Sequence, residues 1–196
     1  MGWVEILGFV TGAACVWLAT REHWANFPVG ILNTCLFLVL FASAGLYANA
    51  ALQVVYLVLA VHGWYSWLHG GRDHGVLEVR RTPRRAWLVG ATAAAVLTGG
   101  LTLLLGAVAG ASAAPFWDSL TTALSLVAQF MLNRKWLGTW AVWIVTDVLL
   151  VGLYLSQGLR LTAVLYVLFI GLCISGLRRW RARLMVPVVP LQEVVA

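Results

Sequence analysis

Seven apolar runs, each close to the length of a bilayer-spanning helix, constrain this chain more than any other feature. They cover residues 3–20, 27–44, 47–68, 87–111, 115–132, 136–156 and 161–177. A helix of about 20 apolar residues crosses the roughly 30 Å hydrocarbon layer, and the second run is on the short side. Within lipid each segment must satisfy its own backbone hydrogen bonds, which makes helices of these runs. The composition leaves no soluble alternative. With 62% hydrophobic and 10% charged residues and a mean hydropathy of +0.89, the 196-residue chain has too few charges to cover a water-facing surface. The expected fold class is an all-α integral membrane protein with seven transmembrane helices, multi-pass in the cell's inner (plasma) membrane.

Charge placement sets the orientation. Short turns join most runs, at Gly45 and at Gln157-Gly158, while one longer connection over 69–86 carries Arg72, Arg80, Arg81, Arg84 and Arg85. With the N-terminus outside, the cytoplasmic segments hold these five plus Arg21, Arg134, Lys135, Arg178, Arg179, Arg181 and Arg183. The outer segments hold only Arg160. This bias follows the positive-inside rule and puts the C-terminus in the cytoplasm. The net charge of +6 therefore belongs to the loops and does not indicate nucleic-acid binding. The first run starts near Met1 without a basic leader and reads as a retained span. Residues 1–183 are expected to form one transmembrane domain and 184–196, with Pro187 and Pro190, a disordered cytoplasmic tail. Cys15, Cys35 and Cys173 all fall inside apolar runs, at neither metal-ligand nor disulfide-framework spacing, and read as small packing residues.

The chain repeats itself. Adding 113 to the numbering lays the second and third runs on the sixth and seventh without a gap. Ser43 and Gly45-Leu46 fall on Ser156 and Gly158-Leu159; Gly63 and Trp67 fall on Gly176 and Trp180; Arg21 falls on Arg134. The expected architecture is a 3+1+3 arrangement: repeat 1 over about 1–68, a linker helix over about 87–111, and repeat 2 over about 115–180. A single linker helix gives both triplets the same orientation, a parallel repeat about an axis along the membrane normal. Substrates of such transporters sit near the midplane between the repeats. Asp147 and its equivalent Thr34, beside Asn33, lie at about that depth.

Asp147 is the central chemical signal. A carboxylate at mid-span costs roughly 2.5–3.5 kcal/mol on insertion scales and by default marks a ligand or ion pathway. Trp136, Trp140, Trp143, Asp147 and Tyr154 share one helical face. Aromatic faces beside a buried negative charge suit a flat organic cation. Asp118, Thr122, Ser125 and Gln129 make a polar stripe on the fifth run, and Asn49, Gln53 and Tyr56 on the third match Thr162, Tyr166 and their neighbours on the seventh. Hydroxyls and amides in such positions also serve as helix-packing glue. Trp3, Trp24, Trp87, Trp117 and Trp180 lie near run ends and read as interfacial belt residues. His62 reads as a helix-packing donor.

Several strings resemble the PnuC family of vitamin transporters, over residues from about 17 to 180. They are Asn26-Phe27 with Gly30 and Asn33, Leu46-Tyr47-Ala48 with Gln53 and Tyr56, and His62-Gly63-Trp64-Tyr65-Ser66-Trp67. In the second half they are Asp118 with Thr121-Thr122, Ala128-Gln129, Trp140-Ala141-Val142-Trp143 with Asp147, and Gly158-Leu159 with Thr162-Ala163 and Tyr166. The resemblance implies facilitated diffusion of an unphosphorylated vitamin precursor, nicotinamide riboside in the best-known members. It also implies trapping by a separate kinase, a homotrimer, and no cofactor. The W-x-x-W segment resembles the family's substrate-binding segment. The expected substrate-binding residues are Asn33, Gln53, Tyr56, Gln129, Trp140, Trp143, Asp147 and Tyr166. Asp147 stands where other members can carry Asn, and relatives associated with thiamine and riboflavin leave the substrate open.

An Asp about 4 Å from a cation gains roughly 4 kcal/mol at an effective dielectric near 20, before desolvation. Stacking on Trp adds about 0.5–2 kcal/mol. Both favour a pyridinium or thiazolium over neutral riboflavin, and the family's usual substrate selects nicotinamide riboside over thiamine. A retinal photoreceptor fails because the one lysine, Lys135, lies in a loop. No phosphate-cradling Gly-Lys loop supports an ATP-driven pump, and no metal or Ser/His cluster supports an enzyme. A small sugar transporter of similar three-one-three build is the remaining alternative.

Overall fold

The computed structural model describes residues 3–43, 45, 47–107 and 114–185, with side chains from Leu7 onward except those of Tyr47 and Ala48. These residues form seven α-helices: α1 (Trp3–Thr20), α2 (Asn26–Ser43), α3 (Tyr47–His69), α4 (Arg84–Ala107), α5 (Pro115–Asn133), α6 (Thr139–Ser156) and α7 (Arg160–Arg183). No strand occurs among the described residues, only one isolated bridge between Arg80 and Trp136. The expected tail falls outside the described residues from position 186 on.

Two boundaries differ from the expected runs in ways that matter. α7 continues through Arg178, Arg179, Arg181 and Arg183, where positive charge complements the helix C-terminus. α6 begins at Thr139, so Trp136 lies in the preceding turn and not on the face of Trp140, Trp143 and Asp147. Its ring packs at 6.1 Å against Phe130 instead.

Five helices (α2, α3, α4, α6 and α7) are individually long and apolar enough to cross a membrane. Their outward faces carry large exposed hydrophobics such as Val39, Val58, Leu88, Leu103 and Val167, an arrangement that lipid, not water, stabilises. α5 is more polar and buries Ser119, Thr121, Ser125 and Asn133; of the expected stripe only Ser125 is buried, with Asp118, Thr122 and Gln129 half-buried. Pro115 opens this helix at a position whose missing N–H costs nothing.

The helices close into a ring. α1 packs on α2, α2 on α3, α3 on α5, α5 on α6, α6 on α7, and α7 back on α1, while α4 sits outside against α5. Relabelling α1, α2, α3 as α5, α6, α7 and the reverse leaves every ring contact in place. Local geometry follows the same 113-residue offset. Gly45 and Gly158 both turn the chain at positive φ, 72° and 76°, where glycine avoids the Cβ clash of the left-handed region. Glu22 and Lys135 also occupy left-handed conformations, at 57° and 48°. For residues with a Cβ this costs on the order of 1–2 kcal/mol each. Glu22 N–H donates to Ala19 and Lys135 N–H to Leu132, at 3.0 and 2.9 Å.

The long α3–α4 connection is folded against the helix ends. Leu77 is buried and its N–H donates to the Trp67 carbonyl at 3.0 Å. Arg80 N–H donates to Lys135 and Leu137 N–H to Arg80, both at 2.9 Å, and Gly138 N–H donates to Thr82 Oγ1 at 2.7 Å. This loop therefore straps the α5–α6 turn.

Candidate functional site

Inside the ring lies a cavity of about 390 Å³, within the range that takes small organic ligands. All eight residues expected at the binding site line it: Asn33, Gln53, Tyr56, Gln129, Trp140, Trp143, Asp147 and Tyr166. Most of the wall falls into pairs 113 residues apart. Gly12 pairs with Ser125, Val16 with Gln129, Ala19 with Leu132, Phe27 with Trp140, and Gly30 with Trp143. Thr34 pairs with Asp147, Phe37 with Leu150, Gln53 with Tyr166, Tyr56 with Phe169, and Ala60 with Cys173. Among the described residues, only Cys15, Asn26 and Asn33 line it without an equivalent that also does so. Shape is thus shared between the halves, but chemistry is not. The α1–α2 side offers Gly12, Val16, Gly30 and Thr34 where the α5–α6 side offers Ser125, Gln129, Trp143 and Asp147.

Each polar group is held differently. Asp147 is only 4% exposed, and the Cys173 thiol donates to its Oδ2 at 3.7 Å. It forms no ion pair among the described residues. Asn33 uses both amide hydrogens on α1, donating to the Gly8 carbonyl at 2.8 Å and Thr11 Oγ1 at 2.7 Å, so its oxygen is what it can offer a ligand. Gln129 Nε2 donates to Asn133 Oδ1 at 3.1 Å, and Asn133 Nδ2 donates to the Leu59 carbonyl at 2.7 Å. This chain joins α5 to α3.

The two tryptophans of α6 play unequal parts. Trp140 is 1% exposed and lies edge-on to Trp180 at 5.2 Å and 84°; its Nε1 has no hydrogen-bond partner among the described residues. Gly176 leaves room for that ring, since a Cβ there would stand 2.6 Å from it. Trp143 is only partly buried and also lines the cavity. Among other polar candidates, Thr122, Thr162, Asn49 and Asp118 do not line the cavity. His62 is exposed and sits 3.4 Å from Ser66 Oγ.

The arginine-rich end of the cavity is floored by packed aromatic rings. Phe27 meets Trp67 edge-on at 5.0 Å and 89°, the counterpart of the Trp140–Trp180 contact. Trp67 Nε1 donates to the Leu132 carbonyl at 3.0 Å, and Trp180 Nε1 to the Ala19 carbonyl at 3.3 Å. These two bonds are related by the same offset. Trp180, expected in the interfacial belt, is fully buried here; Trp24, Trp87 and Trp117 are each about half exposed, as belt residues are. Trp180 is buried because Ala19, Trp67 and Trp140 close around its ring, an arrangement that its place near a helix end did not reveal. Of the lining residues missed in sequence, Phe27, Phe37 and Phe169 carry no polar signal. The 113-residue offset applied to the expected residues Trp140 and Tyr56 would have found Phe27 and Phe169.

A ring of apolar helices around a ligand-sized cavity with a buried carboxylate defines a polytopic transporter. The chain belongs to the nicotinamide mononucleotide transporter family, whose profile matches residues 2–182. It is a multi-pass membrane transporter and not an enzyme. It is 26% identical to the nicotinamide riboside transporter PnuC of Escherichia coli (strain K12), over 92% of this chain and 85% of that protein. It is 28% identical to the riboflavin/roseoflavin transporter RibM of Streptomyces davaonensis, over the same shares of each. The fold matches the crystal structure of the vitamin B3 transporter PnuC with a TM-score of 0.70 at 24% identity, covering 92% of this chain and 81% of that one.

Proposed function

We propose that this chain carries nicotinamide riboside across the membrane by facilitated diffusion, and that a separate kinase traps it inside. The observation that carries the substrate assignment is Asp147: a buried carboxylate, without an ion pair among the described residues, in a cavity that also presents Trp143. A pyridinium ring supplies the missing positive charge and a flat face for the indole. The one-sided chemistry of the wall orients the ligand, charge toward α6 and sugar hydroxyls toward the amides of Gln53, Gln129 and Asn33. The names of several relatives support the same substrate. The riboflavin/roseoflavin relative favours a second reading, a neutral flavin, which would leave Asp147 without a countercharge.

The two triplets act as a parallel repeat, with the arginine-rich end in the cytoplasm. Support comes from the ring contacts, the paired turns and the ten paired wall positions. The eight lining residues named above form the binding site. The homotrimer rests on the family resemblance, and light scattering in detergent reads it directly. Titrating purified protein with nicotinamide riboside, thiamine and riboflavin tests the substrate. Tightest binding of riboflavin would overturn the cationic reading, and tightest binding of thiamine would keep the charge but change the vitamin.

A further inference from the structure

The contacts that join the two halves gather at the arginine-rich end. Besides the two indole bonds across the α3–α5 and α7–α1 seams, Lys135 Nζ lies 3.3 Å from Glu22 Oε2. The same ammonium sits 4.5 Å over the Trp67 ring, and Arg183 Nε lies 3.5 Å from Glu22 Oε1. Lys135 is 2% exposed. Glu22 and Lys135 are 113 residues apart, so the pair links equivalent turns of the two repeats across their common axis. Both are non-glycine positions held in the left-handed region, as are Asp73 and His74 in the α3–α4 connection, where glycine would be unstrained. Strain retained at such a position points to a function for the side chain. Farther from that end α1 and α7 also meet through rings, Phe9 against Phe169 at 5.8 Å.

Any rocking of one triplet against the other must part the contacts between halves and can leave those within each half intact. Phe27–Trp67 and Trp140–Trp180 lie within halves; Trp67–Leu132, Trp180–Ala19, Lys135–Glu22 and Lys135–Trp67 lie between them. We propose that Glu22 and Lys135 form the latch of a gate at the arginine-rich end of the cavity, with Trp67 and Trp180 as its leaves. Release of substrate at that end requires this pair to separate. Lys135 and Glu22 are thus positioning residues for transport, acting through the floor and touching no substrate. The inference rests on the transport reading for its purpose but not for its test.

Cys173 supplies a native reporter, because it lines the cavity and is 3% exposed while the floor is shut. In a background with Cys15→Ser and Cys35→Ser it is the single thiol. Membrane-impermeant maleimide is applied to vesicles of each orientation. Glu22→Gln and Lys135→Met should raise the Cys173 labelling rate from the arginine-rich side at least tenfold. Lys135→Arg, which keeps the charge and the ring contact, should stay near the parent rate. The double exchange Glu22→Lys with Lys135→Glu should fall back toward it. If the charge-removing variants fold poorly, Trp180→Phe, which keeps an aromatic leaf but loses the bond to Ala19, should raise the rate in its place. Unchanged labelling in variants that elute as monodisperse protein would overturn the latch. Equal acceleration from both sides would also overturn it, since a latch opens one end. Substrate uptake measured alongside separates the two ideas: faster labelling with no uptake of any vitamin keeps the gate and defeats the transport reading.

Discussion

The charge of Asp147 is the most direct handle on the substrate. Asp147→Asn keeps the shape and one acceptor for the Cys173 thiol but removes the negative charge. The carboxylate is 4% exposed and already hydrogen-bonded, so folding, not ligand binding, bears most of its desolvation. A cation about 4 Å away would gain roughly 4 kcal/mol at an effective dielectric near 20. The ligand must itself lose water, and the Asn dipole recovers part of the attraction, leaving about 2 kcal/mol. That is about a 30-fold weakening of Kd for nicotinamide riboside. The control is the reduced, uncharged dihydropyridine form of the same nucleoside, which has the same sugar and nearly the same outline. Isothermal titration of both ligands with parent and variant isolates the charge: the cationic form should weaken and the neutral form change less than about threefold. Equal weakening of both forms, or none of either, would refute the electrostatic reading. Equal weakening with a lowered melting temperature would assign Asp147 a structural role.

Trp143→Phe should retain part of the stacking and lose about 0.5–1 kcal/mol of binding, whereas Trp143→Ala should lose more, up to about 2 kcal/mol, both read in the same titration. Gly176→Ala pushes a methyl into the Trp140 ring; it should destabilise the protein by about 1–3 kcal/mol, seen as a lower melting temperature in detergent. Uptake into proteoliposomes should stop at equal concentrations inside and out with no ion gradient. Accumulation that follows an imposed proton gradient would make the protein a symporter.

The number of helices, their membrane environment and the polar residues proposed for the site were legible in sequence because each depends on local composition. Twenty apolar residues must form a helix in lipid whatever their neighbours, and a mid-span carboxylate stands out against any apolar background. The 113-residue offset was legible too, since Gly63 and Trp67 recur as Gly176 and Trp180. What the chain alone did not reveal was which apolar residues face the cavity and which side of the tryptophan pair carries the floor. Trp180 near a helix end has the same local signature as a belt residue such as Trp87; only the approach of Ala19 and Trp140 from other helices buries it. Trp136 differs from Trp140 by a single turn, and the start of α6 sends one ring outward and the other in. The Glu22–Lys135 pair shows the same division. Each residue looks like an ordinary loop charge until the ring closes and brings two turns, 113 residues apart, within 3.3 Å. Hydrophobicity and charge are properties of a residue, so sequence carries them. Enclosure is a property of several helices together, and only their packing decides it.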